Sequence, residues 1–322
     1  MQTSDRLALV LLGALWGGGF LFVRVAVPDF GPFALVNLRV LLAGLLMLAW
    51  AAARGDVPPF WTRWRDYLTL SALNVAAPFT LSAWAVITVP ASLASIVMAT
   101  IPLFTAAVLA LRLRVWPSPR QLLGMLVGFV GVAILAGLGP IPLTPAVLAA
   151  IAALLASAFL FAVGGIFTAR RFEGVSPVES TIGQQLGAFV LLVPFALAVP
   201  PRAAPSPPAI AALLLLAVLG TAVAYLLFFR LIAAVGPTRT ATVAYLVPLF
   251  GTAWGALLLG EPIGLATVLG MATILAGVVL VTGARLAKVP VPRAGVRQWA
   301  TARPWQSNPS GVNACGGADE FS

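Results

Sequence analysis

Histidine is absent from this 322-residue chain, cysteine occurs once, and only nine residues are acidic. The first two absences remove the parts for Cys/His metal sites, disulfide frameworks, haem ligation and Ser-His-Asp or Cys-His catalysis. The few acids are scattered, so the clustered loop carboxylates with which a lipid-linked transferase would hold Mg²⁺ are missing too. Charged residues of both signs make up 9% of the chain, against about 25% in a soluble domain. Most of the surface therefore cannot face water. This composition predicts a protein without cofactor, metal or enzymatic activity.

What is present is apolar: 61% of the residues are hydrophobic and the mean hydropathy is +1.05. The net charge of +10 does not point to nucleic acid, because the arginines sit at the ends of apolar runs rather than on one polar face. A membrane span needs about 20 mostly apolar residues. The sequence offers ten, at residues 7–27, 33–53, 67–87, 91–111, 120–138, 145–167, 178–199, 209–233, 238–259 and 264–284. Pro- and Gly-bearing strings such as "PDFGP", "GDVPPF" and "PPRAAPSPP" mark the junctions. The first run is too long for a signal-peptide core and has no convincing cleavage site after it. Residues 288–322 turn to Pro, Gly, Arg, Ser and Asn and read as a disordered cytoplasmic tail.

With the N-terminus inside, Arg54, Arg63, Arg65, Arg112, Arg114, Arg120, Arg170 and Arg171 all fall on the cytoplasmic side, and the outer connections hold only Arg202. The opposite orientation would violate the positive-inside rule. The expected place is the cytoplasmic membrane, with both termini cytoplasmic.

Residues 92–138 and 238–284 align at a constant offset of 146 without a gap. The matches include Pro102 with Pro248, Phe104 with Phe250, Gly124 with Gly270 and Gly131 with Gly277. Each copy closes a half-chain with five runs, residues 1–138 and 139–287, and an odd number inverts the second half in the bilayer. Inverted repeats let secondary transporters expose one central site to either side in turn. The expected fold class is all-α integral membrane, ten transmembrane helices as two inverted five-helix repeats. The expected partners are a small-molecule substrate and the lipid bilayer, in a monomer or homodimer.

Over residues 7–284 the chain resembles the EamA-type members of the drug/metabolite transporter superfamily. The resemblance rests on "GALWGGGFLFVRVAV", on "NLRVLLAGLL", and on the twin segments "ATIPLFTAAVLAL" and "AYLVPLFGTAWGALLLGEPIG" with the glycine-rich spans after them. It implies a central cavity lined by the first four spans of each repeat, with the fifth packing outside. It also implies export of amino acids or related small metabolites, with drugs, nucleosides or sugar derivatives as the alternative cargo. One departure stands out: the first copy reads "LRLRVWPSP" where the second has the family-like "LLGEPIG".

Polar groups deep in a bilayer are costly, so each is a candidate for function. Arg39 lies seven residues past Pro32, roughly 10 Å into the membrane at 1.5 Å per residue, and suits a carboxylate or phosphate. Counting likewise from Pro177 puts Gln184 opposite it, with Gln185 adjacent; their amides match donors and acceptors of a zwitterion. Asn37 is a weaker candidate, because two residues' separation from Arg39 gives it another helix face. The aromatics Trp16, Trp84, Tyr225 and Tyr245 complete the expected substrate-binding set. Pro102 and Pro248 are expected to gate, each freeing a carbonyl (of Met98 and Ala244) and permitting a kink. No Asp, Glu or His occupies a span centre, which favours transport down the solute's own gradient over proton antiport.

Overall fold

The computed structural model describes residues 2–283, apart from 56, 58, 59, 115, 139–141 and 202. The expected tail and the single cysteine, Cys315, lie outside the described residues. Among those described there is no strand, and eight helices are long and apolar enough to cross a membrane. The shorter apolar helix Val243–Leu259 joins them.

The first helix, α1 (Thr3–Ala52), has 50 residues, or about 75 Å at 1.5 Å per residue, more than twice the ~30 Å hydrocarbon core. It is two arms meeting at Gly31, whose φ of 71° and ψ of 163° are not helical. Pro28 and Pro32 flank this point, and only glycine accepts the bent backbone without strain. Next come α2 (Trp64–Ser71) and α3 (Ala77–Thr88), continuous through a wide π turn at Ala72–Ala76. Then come α4 (Ala91–Met98), α5 (Ile101–Leu113), α6 (Pro119–Leu138), α7 (Pro145–Arg171) and α8 (Pro177–Ala198). A second π turn, Val218–Val223, links α9 (Pro207–Ala217) to α10 (Ala224–Val235). The chain closes with α11 (Pro237–Thr240), α12 (Val243–Leu259) and α13 (Leu265–Gly283).

The two π turns begin at Ala72 and Val218, 146 residues apart, the offset of the sequence repeat. The pair α6 and α13 carries the same relation. A Cβ on Gly124 would lie 2.8 Å from the Gly277 carbonyl oxygen, and one on Gly131 would lie 2.9 Å from that of Gly270. Repeat-equivalent residues thus exchange partners, as across a two-fold axis. With side chains removed at those points, the backbones approach closely, and lipid adds little competing attraction.

Three smaller apolar clusters lie around Leu12, Met47 and Tyr67. The largest cluster, to which α6 and α13 also contribute, has fully buried members that include Leu35, Val40, Ile96, Leu103 and Leu154. Across it, Glu261 caps α4. The Ala91 and Ser92 amides donate to the two Glu261 carboxylate oxygens at 2.7 and 2.9 Å. Pro90 is the residue before that helix and has no side-chain acceptor, so a carboxylate from the α12–α13 connection takes the capping role.

Proline produces different local structures in the two copies. The expected mid-span interruption is present beside Pro102 and absent at Pro248, where the expectation needs correction. The chain leaves helix at Ala99 and Thr100, and Pro102 stands in the first turn of α5, where a missing N–H removes no helical bond. The Thr100 amide and hydroxyl both donate to the Val97 carbonyl, at 3.0 and 2.7 Å. Pro248 lies inside the continuous helix α12.

Candidate functional site

Between the two arms of α1 and the helices facing them is a cavity of about 420 Å³. Arg39 enters it from the second arm. Its Nε donates to the Thr221 hydroxyl at 3.0 Å, and its guanidinium carbon stands 4.0 Å from the centre of the Phe79 ring. Thr221 is held in place by the second π turn, where its hydroxyl also donates to the Leu216 carbonyl five residues back at 2.9 Å. The first π turn brings Asn74 to the wall, and its repeat counterpart Gly220 lies on the wall as well. A π turn adds a residue per turn and re-aims the helix beyond it, a device common at functional sites.

Asn74 donates its side-chain amide to Gln184 Oε1 at 3.1 Å, and the Tyr225 hydroxyl is in polar contact with the same Gln184 side chain. On the opposite side the Ser82 and Ser157 hydroxyls are 3.0 Å apart, and Ser157 donates onward to the Pro78 carbonyl at 2.9 Å. The remaining wall is mainly apolar, and about a third of its residues are aromatic. Trp16 meets Tyr225 edge-on at 6.2 Å and Phe228 at 5.3 Å, with Phe20, Phe161 and Met98 near them. Among the described residues no Asp or Glu lines this space, and none pairs with Arg39.

Of the residues singled out in the sequence, Trp16, Arg39, Tyr225, Pro102 and Pro248 line the cavity. Gln184 stands behind the wall, bonded to two of its members. Gln185 is fully buried with both amide atoms unpartnered. Asn37 is buried in the joint between α1 and α8, where its amide donates to the Phe189 carbonyl at 2.9 Å. Tyr245 and Thr282 share a hydroxyl contact of 2.7 Å between α12 and α13, away from the cavity. Trp84 is 44% exposed and contributes nothing to the wall. Arg24 donates to the Val86 and Ile87 carbonyls at the end of α3. Asp29, farther along α1, accepts from the Ser206 amide and hydroxyl at 2.8 and 2.6 Å.

Asn74, Thr221, Phe79 and Ser82 do not stand out in the sequence. Asn74 was open to the rule that found Arg39, a polar side chain amid an apolar run. Thr221 was not, because its hydroxyl reaches Arg39 only through the π turn. The helices α6 and α13 contribute no wall residue.

Apolar helices of membrane-crossing length around a cavity with six aromatic side chains and, among the described residues, one cation in its wall fit a multi-pass membrane transporter. The chain belongs to the EamA-like transporter family, which it matches over residues 6–137 and again over 148–283. It is 28% identical over 287 residues to an uncharacterized transporter of Archaeoglobus fulgidus, covering 88% of this chain and 98% of that one. It is 27% identical over 283 residues to the inner membrane transporter YedA of Escherichia coli K12, covering 85% and 89% of the two chains. Protein PecM of Dickeya dadantii is 26% identical over 271 residues, with 83% and 88% covered. A solved crystal structure superposes with a TM-score of 0.59 at 21% identity, covering 87% of this chain and 96% of that one, a likeness of fold.

Proposed function

We propose that this transporter is a ten-span carrier, built as two inverted five-helix repeats divided near residue 138. It sits in the cytoplasmic membrane with both termini inside. It exports small metabolites that combine a carboxylate with an apolar body, amino acids and related compounds, by alternating access and without proton coupling. The observation that carries this reading is Arg39, a cation in an aromatic-walled cavity with no acidic neighbour among the described residues. Such a guanidinium is stabilised by an anion that arrives with the solute.

Several features support the ten-span count and the inversion. Gly31 divides α1 into two arms, each long enough to cross. The shorter apolar helix Val243–Leu259 is taken as the tenth crossing. The π turns recur at the repeat offset, and the α6–α13 glycines exchange partners. The family's own two matched stretches divide the chain at the same place.

The test is counterflow of a labelled amino-acid and organic-acid panel in proteoliposomes without any imposed ion gradient, comparing wild type with Arg39→Ala. Charge-assisted hydrogen bonds contribute about 1.5–3 kcal/mol, so the variant should lose roughly 10- to 100-fold in apparent affinity for anionic cargo. Saturable counterflow unchanged by the substitution would move Arg39 to the scaffold. A requirement for a pH gradient would overturn the absence of proton coupling.

A further inference from the structure

We infer that the preferred solute carries one negative charge and no ammonium group, so that the site favours an amine-free organic acid over a zwitterionic α-amino acid. This rests on the carrier reading above and narrows it within the compounds that reading allows.

Among the described residues the wall holds one formal charge, that of Arg39. A monoanion bound there leaves the occupied cavity neutral. A zwitterion leaves it with a net positive charge, because its ammonium sits two bonds from the carboxylate that Arg39 holds. That ammonium would lie within several ångströms of the guanidinium, in a space where apolar walls screen the repulsion poorly. It would also need compensation for lost hydration, which a charge obtains only from an opposite charge or several acceptors.

The acceptors nearby are neutral and largely committed. Gln184 Oε1 already receives Asn74, and the Thr221 hydroxyl is engaged by Arg39 and by the Leu216 carbonyl. Ser82 and Ser157 are bonded to each other and to the Pro78 carbonyl. Aromatic faces attract cations, but the face of Phe79 is already covered by Arg39 itself, and contact with another ring replaces only part of an ammonium's lost hydration. The donors, in contrast, are in place for an oxyanion: the outer guanidinium nitrogens, with the Tyr225 hydroxyl on the same wall. Phe20, Phe161, Phe228 and Trp16 surround the rest of the space with apolar surface. At about 420 Å³, the cavity is at the small end of the usual range for ligand sites, suited to a compact aryl or branched body.

Three probes that share a phenylethyl body and differ in charge test this: 3-phenylpropionate, L-phenylalanine and 2-phenylethylamine. Each is titrated calorimetrically onto the full chain in lipid nanodiscs at about pH 7.5, where carboxylates are ionised and amines protonated. The wild type should bind phenylpropionate at least about tenfold more tightly than phenylalanine, with phenylethylamine weakest. Arg39→Gln should weaken phenylpropionate until the order disappears. Arg39→Lys, which keeps the charge, should preserve the order and guards against a glutamine variant that merely misfolds.

Phenylalanine binding as tightly as phenylpropionate, or phenylethylamine ranking first, would overturn the inference. If Arg39→Gln still weakened phenylalanine in that case, the carrier reading would stand without it. Wild type that stays monodisperse and binds none of the three would remove the carboxylate site and this inference together.

Discussion

Arg39 and Gln185 both place a polar side chain in an apolar helix, and the bundle gives them opposite surroundings. Arg39 has a hydroxyl on one side, a ring face on the other and open space ahead. Gln185 is enclosed against Gly44 with neither amide atom satisfied. A buried amide without partners costs about 1–3 kcal/mol, and replacing it with an apolar group of similar shape removes that cost. Gln185→Leu should therefore raise thermal stability in detergent by about 1 kcal/mol and leave counterflow unchanged. A variant that is more stable but transports poorly would show that the amide finds a partner in another conformation. At this scale the sequence was informative where chemistry alone decides. Arg39, Trp16 and Tyr225 declared themselves by type and depth. It was uninformative where direction decides: adjacent Gln184 and Gln185 point to different neighbours, and Asn37 and Tyr245 spend their polar groups on helix joints.

Helices in this bundle meet through missing side chains as much as through present ones. A Cβ on Gly277 would lie 2.5 Å from the Gly128 amide nitrogen and 2.6 Å from the Gly124 carbonyl oxygen. Backbone cannot move aside as a flexible side chain can, and overpacking of this kind costs about 1–3 kcal/mol. Gly277→Ala should lower the melting temperature clearly. Gly137→Ala, at a helical site with nothing within 4 Å of the new methyl, should leave stability equal or slightly raised. Equal melting for the two variants would show that α6 and α13 do not meet as described. Gly124 and Gly128 stand four residues apart on one helix face, a spacing that lets helices approach closely. The π turns left no comparable mark, since "ALNVA" and "VLGTAV" contain no residue type that demands an extra residue per turn. Proline misled for a related reason: identical "PLF" strings give a helix start at Pro102 and a helix interior at Pro248, because the chain ahead of each breaks at a different place.

For the whole molecule, the proposed sidedness rests on the distribution of arginine, and the native cysteine offers a direct check. In right-side-out vesicles a membrane-impermeant maleimide should label Cys315 only after permeabilisation. Ala203→Cys, in the connection before α9, should be labelled in intact vesicles once Cys315 is replaced by serine. The reverse pattern would invert the proposed topology. The repeat was visible in sequence because a few residues recur at one fixed offset, among them Pro102 with Pro248 and Gly131 with Gly277. The cavity was less visible because its wall draws on residues from both halves that are far apart along the chain. The Glu261 cap has no twin. The counterpart position, 115, is valine, so the ionic clasp on a helix start exists in one half only. In the proposed arrangement that clasp lies at the outer end, and any form that opens there must release two amides from a carboxylate. A bias of about 1.4 kcal/mol already shifts two populations tenfold. In the proposed carrier this clasp, present in one half, would tilt the balance between the two forms of the empty protein toward the one with its outer end shut.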